Sequence, residues 1–229
     1  KHLEEIIIDV TNQEIKKLLQ KKGKKIRNPQ ANFDASLGAY YLDKYKWSGF
    51  SIDSAIELEN WQILSPLRNL GYGTKVLNKK IQKTFRSKTK EKAIFPGSFE
   101  KNGRTFYNKR KMPKPIADDS IVYGDKIINV KNIRRNKRWH RIYNPNKLEE
   151  LKYIANGEIG ILMGHYGAWD EKKSKRPINI TFSSQKDYAY NFYSNEFKED
   201  GDVQLELAYS ITIHKSQGSG FNVVFFILP

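Results

Sequence analysis

A chain of 229 residues with 38% hydrophobic and 13% aromatic side chains has room for one large domain, or one carrying a smaller insert, which excludes disorder along its whole length. It has no cysteine and no apolar run near the roughly 20 residues of a spanning helix, which excludes disulfides, thiolate-bound zinc and a membrane span of that kind. Forty-one Lys and Arg against 25 Asp and Glu leave a net charge of +16, a self-repelling excess that a polyanionic partner would relieve.

The first residues lack the charged-then-apolar order of a signal peptide, so the chain is expected to be soluble and cytoplasmic. Thr11-Asn12-Gln13-Glu14 fits a capping box, with Ile15, Leu18 and Leu19 as the stripe of the helix it opens and Gly23 as its stop. A second helix is expected over residues 35–46, with Leu37, Tyr41 and Tyr45 on one side. Trp61 to Ser65 reads as a buried strand. Gly71-Tyr72-Gly73 then leads into a helix with Thr74 as N-cap and Leu77, Ile81 and Phe85 on its inner face, half of a βαβ unit.

Residues 88–115 are basic and broken by Pro96, Gly97, Gly103, Pro113 and Pro115, which marks a boundary. Strand signals follow. Asp125 to Val130 is a short apolar run, Asn156-Gly157 predicts a hairpin turn with both residues at positive φ, and Glu158 to Met163 returns from it. Ile178, Ile180 and Phe182 alternate with polar residues, as do Tyr188, Tyr190 and Phe192, so each stretch is expected to bury one face of a small inserted β-barrel. Leu205 to Ile213 and Val223 to Leu228 return to α/β character. A buried strand so near Pro229 is expected where a chain is cut from something longer.

Two runs concentrate the charge. Residues 16–27 hold seven basic residues and no acid, the pattern of a solvated helix end whose lysines suit the helix dipole. Residues 131–147 hold Lys131, Arg134, Arg135, Lys137, Arg138, Arg141 and Lys147, interleaved with Trp139, His140 and Tyr143. Cations for phosphates and π-faces for bases are the two ingredients of single-strand binding, whereas the plainer reading is a hairpin tip between barrel strands. Trp47, Trp61 and Trp169 read as core or interface residues. Asp170-Glu171-Lys172-Lys173 lacks the partner acid that nuclease chemistry would need.

The segment Tyr209-Ser210-Ile211-Thr212-Ile213-His214-Lys215-Ser216-Gln217-Gly218-Ser219 resembles motif V of the RecD-like branch of superfamily 1 DNA helicases. Gln62-Ile63-Leu64-Ser65-Pro66-Leu67-Arg68, with Gly73-Thr74 and Leu77-Asn78, resembles the region around motif IV. Gly124-Asp125-Lys126-Ile127-Ile128 with Asn156-Gly157-Glu158-Ile159-Gly160 resembles the barrel inserted between those motifs. The resemblance spans roughly residues 61–228. It implies an α/β chain: a second RecA-like domain at 61–115 and 200–229, a Src-homology-3-like barrel at 116–199, and an unassigned, partly helical segment at 1–60.

The resemblance also implies roles. Arg68 would be the catalytic cation at the γ-phosphate of ATP, and Gln217, Gly218 and Ser219 would line the ATP cleft. Thr212, His214 and Lys215 would grip the backbone of single-stranded DNA or a single-strand/duplex junction; independently of the resemblance, the basic and aromatic run offers Arg134, Arg135, Arg138, Trp139 and Tyr143 to the same strand. An arginine fork suits phosphate oxygens, and short donors at a strand end suit a grip that ignores base identity. ATP with Mg²⁺ would be bound mainly by an N-terminal motor domain outside this chain. No phosphate-cradling G-x-x-x-x-G-K-[ST] occurs, so this chain alone is expected not to hydrolyse ATP. Gly220 stands where the family has a Glu that holds the nucleotide sugar. That departure favours the alternative of a non-enzymatic single-strand-binding module, whereas the intact run from Thr212 to Ser219 favours the motor. Arg68 follows a strand and precedes a glycine-rich turn, so a surface ion pair is the alternative for this residue.

Overall fold

Apolar residues occur in two patterns along the chain, and they build two unlike sheets. The computed structural model describes residues 3–43, 47–94, 98–101, 104–107, 113–134, 138–140, 153–165, 177–197 and 205–227. Its fold is mixed α/β. No helix among the described residues is long and apolar enough to cross a membrane.

Helix α1 (Leu3–Lys21) packs with α2 (Pro29–Ser36), and both lie against α3 (Thr74–Ile94). The start of α1 differs from the expected capping box. Thr11 sits in the helix interior, fully buried between Ile7 and Ile15, and its hydroxyl has no hydrogen-bond partner. Its position on the i, i+4 stripe through Ile7, Ile15 and Leu19 lets packing override the local cap signal. The helix does stop at Gly23: at φ +65° this residue donates to the Gln20 carbonyl while Lys24 N–H reaches Leu19, a Schellman closure. The second helix is displaced from its expected span. Asn28 caps it by accepting from Ala31 N–H at 2.9 Å, with Pro29 in the first turn. Gly38, at φ +85°, then turns the chain into β1 (Tyr40–Leu42), which pairs with β2 (Trp47–Gly49). A Cβ on Gly38 would lie 2.6 Å from Ser54 Cα, so this close approach requires glycine.

β3 (Trp61–Ser65) forms as expected and lies at the centre of a parallel sheet, between β14 (Ser210–Thr212) and β15 (Val223–Phe226). α3 covers it with Leu77, Ile81 and Phe85, and Phe33 of α2 stacks on Phe85 at 4.5 Å. A small hairpin, β4 (Ser98–Lys101) with β5 (Arg104–Tyr107), follows α3.

The second sheet is antiparallel. β6 (Lys126–Asn129), β8 (Arg138–His140), β10 (Ile159–Gly164), β11 (Ile178–Phe182), β12 (Tyr188–Phe192) and β13 (Leu205–Leu207) run in the order β13-β6-β10-β11-β12-β8. Among the described residues it is an open sheet, with no closed barrel. β11 buries both faces: Asn179 donates to Asn191 at 2.6 Å, and Thr181 to the Tyr188 carbonyl at 3.0 Å. The Asn156-Gly157 turn forms, but only Gly157 has positive φ (+94°). The turn carries the chain from β9 (Tyr153–Ile154), paired with β7 (Ile133–Arg134), to β10, paired with β6. β13 pairs with β6, so the apolar run from 205 to 213 divides between two sheets at Ala208-Tyr209.

Among the described residues, Arg86 and Lys126 are buried basic side chains. Arg86 of α3 bonds Asp34, Asp125 at 3.1 Å and the Tyr123 carbonyl. Burial opposes its charge, but Asp34, Tyr209 and Asp125 outweigh that and raise its pKa further. Replacing Arg86 with Met strands two buried carboxylates, so urea denaturation should show a loss of about 3–5 kcal/mol.

Lys126 Nζ donates to the Trp61 carbonyl at 2.8 Å and lies over the Trp61 ring. Burial lowers its pKa to about 7 against a partial opposing pull from Glu59. A depressed lysine pKa means that the unfolded chain holds the extra proton between pH 7 and 10.5, so stability rises with pH through that window. Lys126→Met should therefore be more stable than the parent at pH 6, with the advantage fading by about pH 10, as read by thermal melting at each pH.

Candidate functional site

β3 and β14 are adjacent and parallel, so the loops leaving their carboxyl ends meet; Thr212 lies opposite Ser65. This is the edge at which open parallel sheets present ligand-binding loops. The loop after β3 is closed by its own backbone. Thr74 N–H donates to the Leu67 carbonyl at 3.0 Å, and Lys75 N–H donates to the Arg68 carbonyl at 3.1 Å. Thr74 is thus the first helical residue rather than the N-cap, and loop carbonyls take the first amides of α3. Gly73 permits that closure: a Cβ there would lie 2.6 Å from the Arg68 carbonyl carbon and oxygen.

On the other side, β14 runs into a tight 3-10 turn at His214–Ser216. Thr212 Oγ1 accepts Lys215 N–H at 3.4 Å, and Ser216 Oγ donates to the Ile213 carbonyl at 2.7 Å. Gly218 follows at φ +83°, and Ser219 N–H closes on the Ser216 carbonyl at 3.1 Å. His214, Gln217 and Gly218 are exposed, and Thr212, Lys215 and Ser219 are partly so. The turn beginning at His214 therefore faces solvent, on the same sheet end as Arg68.

One carboxylate joins the two loops. Glu206 of β13 accepts Arg68 Nη2 at 2.8 Å on Oε1 and Lys215 Nζ at 2.9 Å on Oε2. Burial pushes the Glu206 carboxyl up, but Lys215 and then Arg68 overcome this and hold it below the usual carboxylate range. The group borders a cleft of about 230 Å³ lined by Arg68, Lys75, Asp119, Glu206, Thr212 and Lys215, among others. Arg68 is exposed, so the ion-pair reading of this residue is realised in the structure.

The expected site residues separate into two groups. Arg68, Thr212, His214, Lys215, Gln217, Gly218 and Ser219 converge at the end of the parallel sheet. Arg134 is exposed on β7. Arg138 and Trp139 lie on β8, opposite Tyr190 and Ala189 of β12. β8 is the edge of the antiparallel sheet farthest from Glu206, five strand spacings or about 24 Å away. Arg135 and Tyr143 fall outside the described residues, as do Trp169 and residues 170–173.

Sequence reasoning missed Glu206, an acid inside an apolar run with no motif around it. It also missed what Asn78 and Gln62 do. Asn78 Nδ2 donates to the Leu207 and Ser210 carbonyls at 2.9 Å each, and its Oδ1 accepts Ser210 N–H at 2.7 Å. Gln62 Nε2 donates to the Ala208 and Tyr209 carbonyls at 3.0 Å each. The two amides fix the crossover that positions Glu206 and Thr212; the strand-then-Leu-Asn pattern held the available signal.

No protein-family model matches the chain. It is similar to a protein of Methanocaldococcus jannaschii, uncharacterized protein MJ1519, at 28% identity over 182 residues. The match covers 77% of this chain and 13% of the relative, so the chain spans a small part of the curated relative it matches.

Gly73→Ala should displace the Arg68 loop, because the new methyl meets backbone rather than a flexible side chain. The expected loss is about 1–3 kcal/mol in denaturant titration.

Proposed function

We propose that this chain is the second-motor-domain part of an ATP-driven, RecD-like superfamily 1 DNA helicase. In this reading the parallel sheet is the core of a RecA-like domain, and the antiparallel sheet is the counterpart of the Src-homology-3-like insert. The supporting observation is the convergence of Arg68 with the Thr212–Ser219 segment on adjacent parallel strand ends, bridged by Glu206. Residues about 140 positions apart in sequence, each bearing a helicase-like motif, thus share one cleft.

The donor set fits one wall of a nucleotide site. Arg68 presents an exposed fork, and the Gly218 turn leaves backbone free for close approach; these and Ser219 would hold one side of the phosphates. ATP, when bound, supplies the phosphoanhydride cleavage that drives movement. The residues of this chain bind and orient: Arg68 offsets negative charge on the terminal phosphate, while Thr212, His214 and Lys215 hold the strand backbone. The remaining phosphate and Mg²⁺ contacts belong to the first motor domain.

A second reading is a single-strand-binding module with a vestigial motif. Gly220 favours it: a Cβ there would meet nothing within 4 Å, so the family's Glu would fit, and its absence removes chemistry rather than relieving a clash.

The two readings separate in the full-length protein. The motor reading requires ATP hydrolysis stimulated by single-stranded DNA; DNA binding without stimulation leaves only the module. Arg68→Ala should lower turnover on the order of 10³-fold while nucleotide binding is largely kept. Neutralising Arg134, Arg135 and Arg138 together should weaken binding to oligo-dT and flatten its dependence on salt by up to about three phosphate contacts. If both changes act only through lowered melting temperature, the assignments fail.

A further inference from the structure

Glu206 has a feature that the helicase reading does not by itself require. Each of its two carboxylate oxygens holds a different cation, and each cation belongs to a different motif. The carboxylate is the fixed member. Its backbone lies in β13, paired with Ile128 of β6, with Leu205 and Leu207 buried on either side and Ala208 N–H bonded to the Lys126 carbonyl at 2.9 Å. The cations come from connecting segments: Arg68 sits on a loop with its side chain 45% exposed, and Lys215 sits in a 3-10 turn. Asp118 and Asp119 also line the cleft, with Lys79 of α3 3.8 Å from Asp119; Glu206 is the acid whose two oxygens bond both motif cations.

Such a triad has a definite electrostatic sign. Two like charges share one opposite charge, so each weakens the hold of the other. If Arg68 moves onto an incoming phosphate, Glu206 is left with Lys215 alone and binds it more tightly. A DNA phosphate must then displace a stronger internal partner. The converse holds when DNA engages Lys215 first. Reciprocity of the two effects is a thermodynamic necessity for binding free energies.

Resting on the helicase reading above, we propose that Glu206 is a positioning residue that sets nucleotide capture by Arg68 against strand capture by Lys215. The carboxylate makes one polyanion loosen the grip on the other, the relation a stepping motor needs between its two ligands. It touches neither ligand and acts through the two cations.

The test uses the full-length protein and its Glu206→Gln variant, which keeps shape and removes the charge. Binding of fluorescently labelled oligo-dT is measured by anisotropy with and without saturating non-hydrolysable ATP analogue and Mg²⁺. The ratio of the two dissociation constants should fall by about fivefold or more from parent to variant. Oligo-dT alone should bind several-fold more tightly to the variant, because Lys215 is released; simple structural damage would weaken it. If melting shows the variant unfolded, Lys215→Met replaces it and should remove the same ratio by deleting the competing cation. A ratio unchanged in a folded variant overturns the proposal while leaving the helicase reading intact. A parent protein that binds DNA but no analogue overturns both.

Discussion

A single guanidinium ties the molecule together. Arg86 projects from α3 into a site with no access to solvent, where it bonds Asp34 of α2, the Tyr123 carbonyl and Asp125. Asp125 accepts three further donors: Val122 N–H at 2.9 Å, Gln82 at 2.6 Å and the Tyr209 hydroxyl at 2.8 Å. Burial and the charge of Asp125 push the Tyr209 hydroxyl up, so it remains a donor. A charge removed from water is tolerated only with partners of this number and geometry. The network therefore admits one relative placement of the helices, the antiparallel sheet and the crossover between the sheets. α3 carries that placement to the cleft, since Thr74 lies 12 residues, about 18 Å, along the same rigid rod.

The crossover at Ala208-Tyr209 is where the two sheets become one structure. A chain that leaves an antiparallel ladder and enters a parallel one interrupts its hydrogen bonding, and the freed backbone groups must be satisfied. Gln62 and Asn78 do this with four side-chain donor contacts and one acceptor contact. Tyr209 meanwhile packs edge-on to Phe33 at 5.3 Å. As a consequence Glu206 and Thr212, six positions apart, belong to different sheets and border the same cleft. The site is thus built on an internal junction rather than on one element.

The charge of the chain is not used uniformly. Near the cleft, cations and acids are interleaved, so the field there is mixed. On the far edge of the antiparallel sheet, β8 carries part of the basic and aromatic run at about 24 Å from Glu206. A polyanion meeting both regions would have to run across the sheet between them.

Local sequence determined the elements whose own periodicity was strong. Trp61 to Ser65 and the Leu77, Ile81 and Phe85 face of α3 were legible because strand and helix periods differ, and Gly23 because helix closure needs a left-handed residue there. The candidate turn at His214 was legible as a motif. Other features depended on partners distant in the chain. Thr11 is helical because a buried stripe runs through it; among the described residues β6, β8 and β10 to β13 form an open sheet whose pairing order no local pattern specifies; Glu206 matters because Arg68 and Lys215, 147 positions apart, both reach its carboxylate. Short-range patterns specify φ, ψ and which face is apolar. Which face meets which, and which charges share a partner, is decided only when the folded chain brings distant segments within hydrogen-bond reach.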